Sequence, residues 1–189
     1  MYKFLLYIIK IMSCLNAVSY FDTKYIKGTI KFHQCSNTSG VDVYIDLQLF
    51  SGDNPKIDIS KPRAIHIHEY GDERRGCASL GGHWNPTNTT HGSKWTETRH
   101  AGDLINNIIP DKNGKFEYNY HDNLLNIKGD INQSILGRSV VIHADKDDCG
   151  LGGRFPYNSE IRRGSLTTGN AGNRIACAII GRCEDGKIL

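Results

Sequence analysis

The residues of this sequence that are best suited to chemistry are its histidines. His66 and His68 alternate with Ile65 and Ile67, and an acidic, glycine-bearing turn follows in the segment IHIHEYGD. Side chains alternate between the two faces of a β-strand, so the isoleucines are predicted to face the core and both imidazoles to point away from it. Two adjacent imidazoles could bind a metal ion or could simply lie on the surface, and this pair alone does not decide between them.

A larger set of potential ligands extends from this pair. Six of the eight histidines fall on two strand-like segments and one long loop, and an aspartate closes the set. Its members are His66, His68, His83, His91, His100, Asp103 and His143. A single histidine is more often an ordinary surface or core residue than a ligand, but six in this arrangement favour a metal site. Imidazole and carboxylate ligands without thiolate suit zinc or copper and argue against iron–sulfur chemistry.

The elements that must position these ligands are predicted to be β-strands. Short runs rich in Ile, Val, Tyr and Phe alternate with Gly, Asn and Asp turns, and helical periodicity is scarce. Seven or eight such runs are typical of an antiparallel sandwich or barrel, so the predicted fold class is all-β. The clearest run places alternate apolar side chains on one face, as a half-buried strand requires. These are Val41, Val43, Ile45, Leu47 and Leu49.

Two connections between the predicted strands are unusually long. Residues 71–101 and 145–172 are rich in Gly, Asn, Ser and Thr and show neither a strand nor a helix pattern. Long loops of this kind are uncommon in compact domains and are usually functional or disordered. Because the first loop carries His83, His91 and His100, we expect it to be functional.

Composition limits the possible partners. The chain has 189 residues, of which 39% are hydrophobic and 23% charged, as expected for one soluble globular domain. Its formal net charge is only +3 and its basic residues form no run, so no nucleic-acid partner is predicted. No membrane partner is predicted either, because the apolar run near the N-terminus is too short to span a bilayer.

The N-terminal segment has two possible interpretations. It combines a basic residue, an apolar stretch and the small residues 17–19, which would suit a signal-peptide cleavage site. Lys10, however, interrupts the apolar run. Sequons at Asn37, Asn88 and Asn132 would matter only if the chain were secreted.

Several motifs together resemble those of the copper–zinc superoxide dismutase family. The segments are HIHEYGD, GCASLGGHWNP, HGSKWTETRHAGDL, GRSVVIHADKDD and TGNAGNRIACAIIG, in the family's order and covering about residues 14–181. The resemblance implies an eight-stranded antiparallel Greek-key barrel with a metal-binding loop and an electrostatic loop. It also implies dismutation of two superoxide radicals to O2 and H2O2 by alternate reduction and reoxidation of bound copper.

The resemblance further implies one copper and one zinc ion per subunit. The copper ligands would be His66, His68, His83 and His143. The zinc ligands would be His83, His91, His100 and Asp103. His83 would then be an imidazolate that bridges both ions.

Other roles are implied by the resemblance alone. Asp147 would hydrogen-bond to His66 and His91 and fix their orientation, although by itself it would look like an ordinary loop acid. Arg174 would dock superoxide beside copper, and Thr168 would narrow the mouth of the channel. Cys77 and Cys177 would form a disulfide. Arg154, Arg162 and Arg163 in the second long loop are expected either to steer the anion or to form a solvated surface.

The resemblance also bears on location and assembly. Met12 falls where the family's chains begin, so residues 1–11 are predicted to be a dispensable extension or partial signal-like segment, and 12–189 the domain. We expect a cytoplasmic protein, with secretion as the alternative. A homodimer is expected, although Arg182 stands where the family usually has an apolar dimer contact. A copper chaperone is a possible further partner.

The remaining cysteines have no assigned role, and free thiols are the default expectation. They are Cys14, Cys35, Cys149 and Cys183. The alternative function is a non-catalytic copper- and zinc-binding scaffold. Such a protein would be expected to lose copper ligands or the docking arginine, and this sequence retains both.

Overall fold

The computed structural model of the protein describes residues 13–51, 58–154 and 159–184. Within these residues the chain forms ten β-strands and one α-helix. Nine of the strands assemble into two antiparallel sheets, one of five strands and one of four. The predicted all-β class is confirmed as a two-sheet sandwich, in which the sheets are not closed into a barrel. Residues 1–11, the predicted extension, lie outside the described residues.

The five-stranded sheet contains the most regular strands. In order across the sheet these are β10 (Gly181–Cys183), β1 (Cys14–Asp22), β2 (Ile26–Cys35), β3 (Val41–Leu49) and β7 (Lys115–Asp122). All five apolar side chains predicted to share one face of β3 are buried, and the residues between them are more exposed. The sequence pattern therefore identified the inner face of this sheet correctly.

The four-stranded sheet carries the first pair of histidines. Its order is β6 (Asn106–Ile108), β4 (Arg63–His68), β8 (Ser139–His143) and β9 (Arg174–Ile179). Ile67, Val140 and Ile142 from this sheet pack with Phe32 and Ile45 of the other sheet in one hydrophobic core. The expectation that the isoleucines of β4 face the core is thus confirmed.

Every residue of β4 is buried, although only one of its faces packs on the core. His66 and His68 point to the opposite face and are 0% and 1% exposed. The two long connections cover this face. A strand that looked half-exposed in sequence is therefore enclosed on both sides.

The two long connections contain regular structure that the sequence did not predict. The first contains β5 (Arg74–Cys77), and the second contains α1 (Ser159–Thr168). The helix is held by tertiary contacts, since Ser165 donates from Oγ to Asp148 at 2.8 Å and the Leu166 carbonyl accepts from the His91 N–H at 2.8 Å. Within the described residues, no helix is long and apolar enough to cross a membrane.

Two disulfides link distant parts of the described chain. Cys77 in the first long connection is joined to Cys177 of β9, 100 residues away. A second disulfide joins Cys14 of β1 to Cys35 of β2. The expectation of free thiols at Cys14 and Cys35 was therefore wrong, because antiparallel pairing of β1 with β2 sets the two residues directly opposite each other.

Candidate metal centre

A first group of buried imidazoles lies at the ends of β4 and β8. Ligand nitrogens of its four histidines lie within 4.8 Å of one another. The group consists of His66, His68, His83 and His143. The Nε2 atoms of His68 and His143 are 3.3 Å apart.

Strand pairing explains how residues far apart in sequence meet here. β4 pairs with β8, and the register places His66 opposite Val141. Because alternate residues share a face, His143 lies on the same outer face as His66. His83 arrives from the first long connection, which forms an isolated β-bridge to His68.

A second group surrounds Asp103. The Nδ1 atoms of His83, His91 and His100 lie 3.1, 2.9 and 3.1 Å from the same Asp103 oxygen, Oδ1. The other carboxylate oxygen accepts from the backbone N–H groups of Gly92 and His100 at 3.1 and 2.8 Å. These bonds fix the carboxylate with one oxygen facing three imidazoles.

Four ligand atoms that lie within 4.8 Å of one another come from His66, His83, His91 and Asp103. His100 is outside that group, although its Nδ1 faces Asp103 Oδ1. The two groups of imidazoles share His83, so they form one continuous buried cluster.

Asp147 connects the two groups by accepting hydrogen bonds from the outer nitrogens of two histidines. Its Oδ2 accepts from His66 Nε2 at 2.7 Å, and its Oδ1 accepts from His91 Nε2 at 2.8 Å. Both histidines then direct their Nδ1 atoms toward the interior of the cluster. A carboxylate that accepts from the far nitrogen of a ligand fixes its tautomer and ring orientation.

Two asparagines that sequence reasoning missed support Asp147. Asn106 donates from Nδ2 to Asp147 Oδ2 at 2.9 Å and to the Gly92 carbonyl at 2.7 Å. The Asn107 side chain accepts from the Asp147 N–H at 2.8 Å and donates to its carbonyl at 3.0 Å. The only sequence signal was two adjacent amides inside the apolar run LINNII, next to Asp103.

Gly169 packs directly against Asp147 and His91. Its φ of +65° is a conformation that side chains other than glycine adopt at a cost. A Cβ at this position would collide with Asp147 Oδ1 and lie 2.6 Å from His91 Nε2. Glycine therefore permits the second long connection to approach the cluster closely.

The cluster fits metal ions because several of its polar atoms have no other partner. His66 Nδ1 and His83 Nε2 are buried and form no hydrogen bond within the described residues, and His100 Nδ1 has only its 3.1 Å approach to Asp103 Oδ1. Buried polar atoms in native proteins are nearly always satisfied, so such a concentration of imidazole nitrogens fits a site that binds metal ions. Convergent imidazole nitrogens and one carboxylate are donors that suit copper and zinc.

Burial keeps the first group in the neutral form that binds metals. Desolvation, with the nearby His83, lowers the pKa of His68 to about 2. Desolvation likewise lowers the pKa of His143 to about 4. These imidazoles therefore hold unprotonated nitrogens at neutral pH, and a cation need not displace protons from them.

In the second group, the pKa of a histidine is raised and not lowered. Desolvation lowers the pKa of His91, but its bonds to Asp103 and Asp147 outweigh this and raise the value to about 9. Burial favours the neutral form of both carboxylates, yet hydrogen bonds from the histidines hold their pKa well below the usual range. This negative pocket favours a cation, which would replace the proton of His91.

Arg174 and Thr168 lie at the edge of the cluster. The half-buried Arg174 donates from Nη1 to the Cys77 carbonyl at 2.6 Å and from Nη2 to the Gly81 carbonyl. The Gly81 carbonyl also accepts from His68 Nδ1 at 3.0 Å. Thr168 is exposed at the end of α1, where its Oγ1 donates to the Gly164 carbonyl at 3.1 Å.

Comparisons with known proteins agree with this geometry. The family model for copper/zinc superoxide dismutase (SODC) matches residues 26–180. A relative from Paramecium bursaria Chlorella virus 1, named superoxide dismutase (Cu-Zn), is 42% identical over 85% of this chain and 75% of its own length. A relative of the same name from Neurospora crassa is 43% identical over 82% of this chain and 90% of its own length.

Two further matches extend the comparison. An extracellular superoxide dismutase (Cu-Zn) from Brugia pahangi is 39% identical over 87% of this chain and 73% of its own length. The crystal structure of the clock protein EA4 matches with a TM-score of 0.73 and 32% identity, covering 88% of this chain and 93% of that one.

The fold and the cluster define a metal-binding protein of the β-sandwich class. The family model covers most of the chain, and the chain belongs to the copper/zinc superoxide dismutase family. It is therefore an oxidoreductase that acts on superoxide, and the metals of its family are copper and zinc.

Proposed function

We propose that the two buried groups hold the two metals in the dismutation of superoxide. The copper ligands are His66, His68, His83 and His143. The zinc ligands are His83, His91, His100 and Asp103. The orientation of His83 carries the assignment. Its Nδ1 faces Asp103, while its Nε2 forms no hydrogen bond within the described residues and belongs to the first group.

Copper held by these histidines would supply the redox chemistry, in which one superoxide is oxidised to O2 and a second is reduced to H2O2. When it is not bound to copper, His83 Nε2 would hold one of the two protons that the second step needs, and solvent would supply the other. This nitrogen is buried and forms no hydrogen bond within the described chain, so a proton placed there is available to a substrate bound at the first group. His83 Nδ1 therefore holds the ring in position, and Nε2 transfers the proton.

Arg174 binds the substrate anion in this proposal. A guanidinium is always charged and donates along its plane, which suits a small anion. Two carbonyl acceptors hold the side chain beside His68, so little conformational entropy is lost when the anion binds. Thr168, exposed at the end of α1, narrows the approach.

The assigned catalysis is tested by superoxide decay with a chain that begins at Met12 and carries one copper and one zinc. We expect a rate near the diffusion limit that falls as salt rises. Arg174→Ala is expected to lower the rate at unchanged metal content, with Lys31→Ala on β2 as the control. Folded, metal-loaded protein without activity would instead support a non-catalytic scaffold. An inactive short chain beside an active full-length chain would show that residues 1–11 are required.

We further propose a cytoplasmic homodimer that a copper chaperone loads. Exposed apolar side chains on β1 and β9, Tyr20 and Ile179, support a dimer contact near β10. Light scattering should give twice the mass of the chain, and Tyr20→Glu, which places a charge in the apolar contact, should shift the equilibrium toward monomer. The Brugia pahangi relative is named extracellular, so fractionation of expressing cells must decide between the two locations.

A further inference from the structure

A separate cluster of residues that can bind metals lies on the five-stranded sheet, on the face opposite the core. Cys14 and Cys35 are directly opposed across β1 and β2, and Asn16 is opposed to His33 one step along. The ligand atoms of Cys14, His33 and Cys35 lie within 4.8 Å of one another. None of these residues contributes to the centre described above.

The imidazole of His33 is held in an orientation suited to a ligand. Its Nδ1 lies 2.6 Å from Asn16 Oδ1, a carbonyl oxygen that can only accept a hydrogen bond. The proton is therefore on Nδ1, and the lone pair of Nε2 points toward Cys35 Sγ, 3.2 Å away. An outer-shell acceptor that fixes a histidine tautomer is the arrangement found around protein metal ligands.

A fourth donor comes from the neighbouring strand. β10 pairs with β1 so that Cys183 lies opposite Asn16, on the face that carries Cys14. Cys14, Asn16 and Cys183 line one surface depression of about 370 Å³, together with Arg182.

We propose that, once the Cys14–Cys35 disulfide is reduced, this group binds one zinc ion through Cys14, Cys35, His33 and Cys183. Three thiolates and one imidazole form a usual structural zinc set. Tetrahedral zinc separates its sulfur ligands by roughly 3.8 Å. The donor atoms of Cys14, His33 and Cys35 already lie within 4.8 Å of one another, and Cys183 lies outside that compact group on the adjacent strand.

The redox step is balanced as follows. A dithiol reductant gives two electrons and two protons to the disulfide, which yields the thiols of Cys14 and Cys35 and an oxidised reductant. Zinc then binds as the three cysteine thiols release their protons. A peroxide reverses the process, since two thiolate sulfurs give two electrons to the O–O bond, two hydroxides form, the disulfide closes and zinc leaves.

The site can be tested without interference from the main centre, because that centre contains no sulfur ligand. The full chain, with copper and zinc already bound, is reduced gently and titrated with cobalt(II) as a probe for zinc. We expect one equivalent to bind, with a thiolate-to-cobalt charge-transfer band that zinc abolishes by displacement. The oxidised protein should show no such band.

Variants identify the ligands. Cys14→Ser with Cys35→Ser should abolish the band, and Asn16→Ala should weaken cobalt binding roughly tenfold or more, because His33 loses its fixed tautomer. Cys149→Ser, which removes a thiol elsewhere, should leave the band unchanged. A band that persists in the double serine variant, or failure of the reduced wild-type protein to bind cobalt, overturns the proposal. Circular dichroism and superoxide decay of the same samples show that each variant is folded.

Discussion

At the scale of single residues, the centre depends on a carboxylate that need not touch a metal. Asp147 is 3% exposed and accepts from two histidines of different groups, so it couples their orientations. Asn106 and the N–H of Cys149 complete its hydrogen bonds at 2.9 and 2.6 Å. The rotational freedom of both imidazoles is therefore removed before any ion binds.

Asp147→Asn is the direct test of this coupling. His66 and His91 donate to different oxygens of Asp147, and in the amide one of these oxygens becomes an NH2 donor that cannot accept. We expect metal affinity to fall by about 10- to 100-fold, the usual effect of losing an outer-shell partner. Competition with a chelator measures the change. Glu97→Gln, an exposed carboxylate in the first long connection, should have no effect, and equal loss in both variants would contradict this role.

Histidine burial also predicts how the metal-free protein responds to acid. The folded-state pKa of His143, about 4, lies below its unfolded value near 6.5, so the unfolded chain binds a proton first. The stability from this residue is complete above pH 6.5 and is lost as pH falls toward 4. The loss is on the order of 3 kcal/mol. Urea unfolding across this pH range measures the loss. If the free energy of unfolding of His143→Gln depended on pH as steeply as that of the wild type, the assignment to His143 would be refuted.

At the scale of secondary-structure elements, the long connections are positioned by a few fixed attachments. The bridge between His68 and His83 attaches the first connection to β4, and the Cys77–Cys177 disulfide attaches it to β9. The Cys77 carbonyl in turn accepts from Arg174. The disulfide therefore links the first connection to the position of Arg174, the residue proposed to bind the substrate.

Removing the disulfide should affect both stability and catalysis. Cys77→Ser with Cys177→Ser opens a loop of 100 residues, which in the chain-entropy model lowers the free energy of unfolding by about 4 to 5 kcal/mol. Activity should fall at saturating metal because Arg174 loses a fixed acceptor. Denaturant unfolding and superoxide decay measure the two effects. Cys149→Ser is the control. Full activity in the double variant would show that the disulfide is not needed to position Arg174.

At the scale of the whole molecule, the position of individual charges can matter more than the net charge. The chain carries only +3, but Arg162 and Arg163 are exposed on α1, in the same connection as Asp147 and Gly169. Electrostatic steering depends on where charges lie around a site more than on their sum. These arginines are therefore expected to increase the rate at which superoxide arrives.

Arg162→Gln with Arg163→Gln should lower the second-order rate by at least ~2-fold at low ionic strength and reduce its salt dependence. Lys31→Gln with Lys112→Gln removes the same charge from exposed or half-exposed positions elsewhere, taking the net charge from +3 to +1 in both variants. Superoxide decay measured from low to high salt compares them. An identical loss in both variants would mean that net charge, not position, sets the rate.

Much of this architecture follows from local sequence. The alternation along β3 identified its buried face, and the alternation along β4 placed Ile67 inward and His68 outward, because the two-residue period of a strand is a local property. The ligand types also followed from the sequence, since imidazole and carboxylate limit the metals by their chemistry.

Only the tertiary structure decided which residues meet. Pairing of β1 with β2 joined Cys14 to Cys35, and α1 formed because contacts such as Ser165 with Asp148 stabilise a segment of weak helical pattern. Asn106 supports Asp147 across 41 residues of chain. Contacts of this kind depend on distances across the fold, and local periodicity contains no information about them.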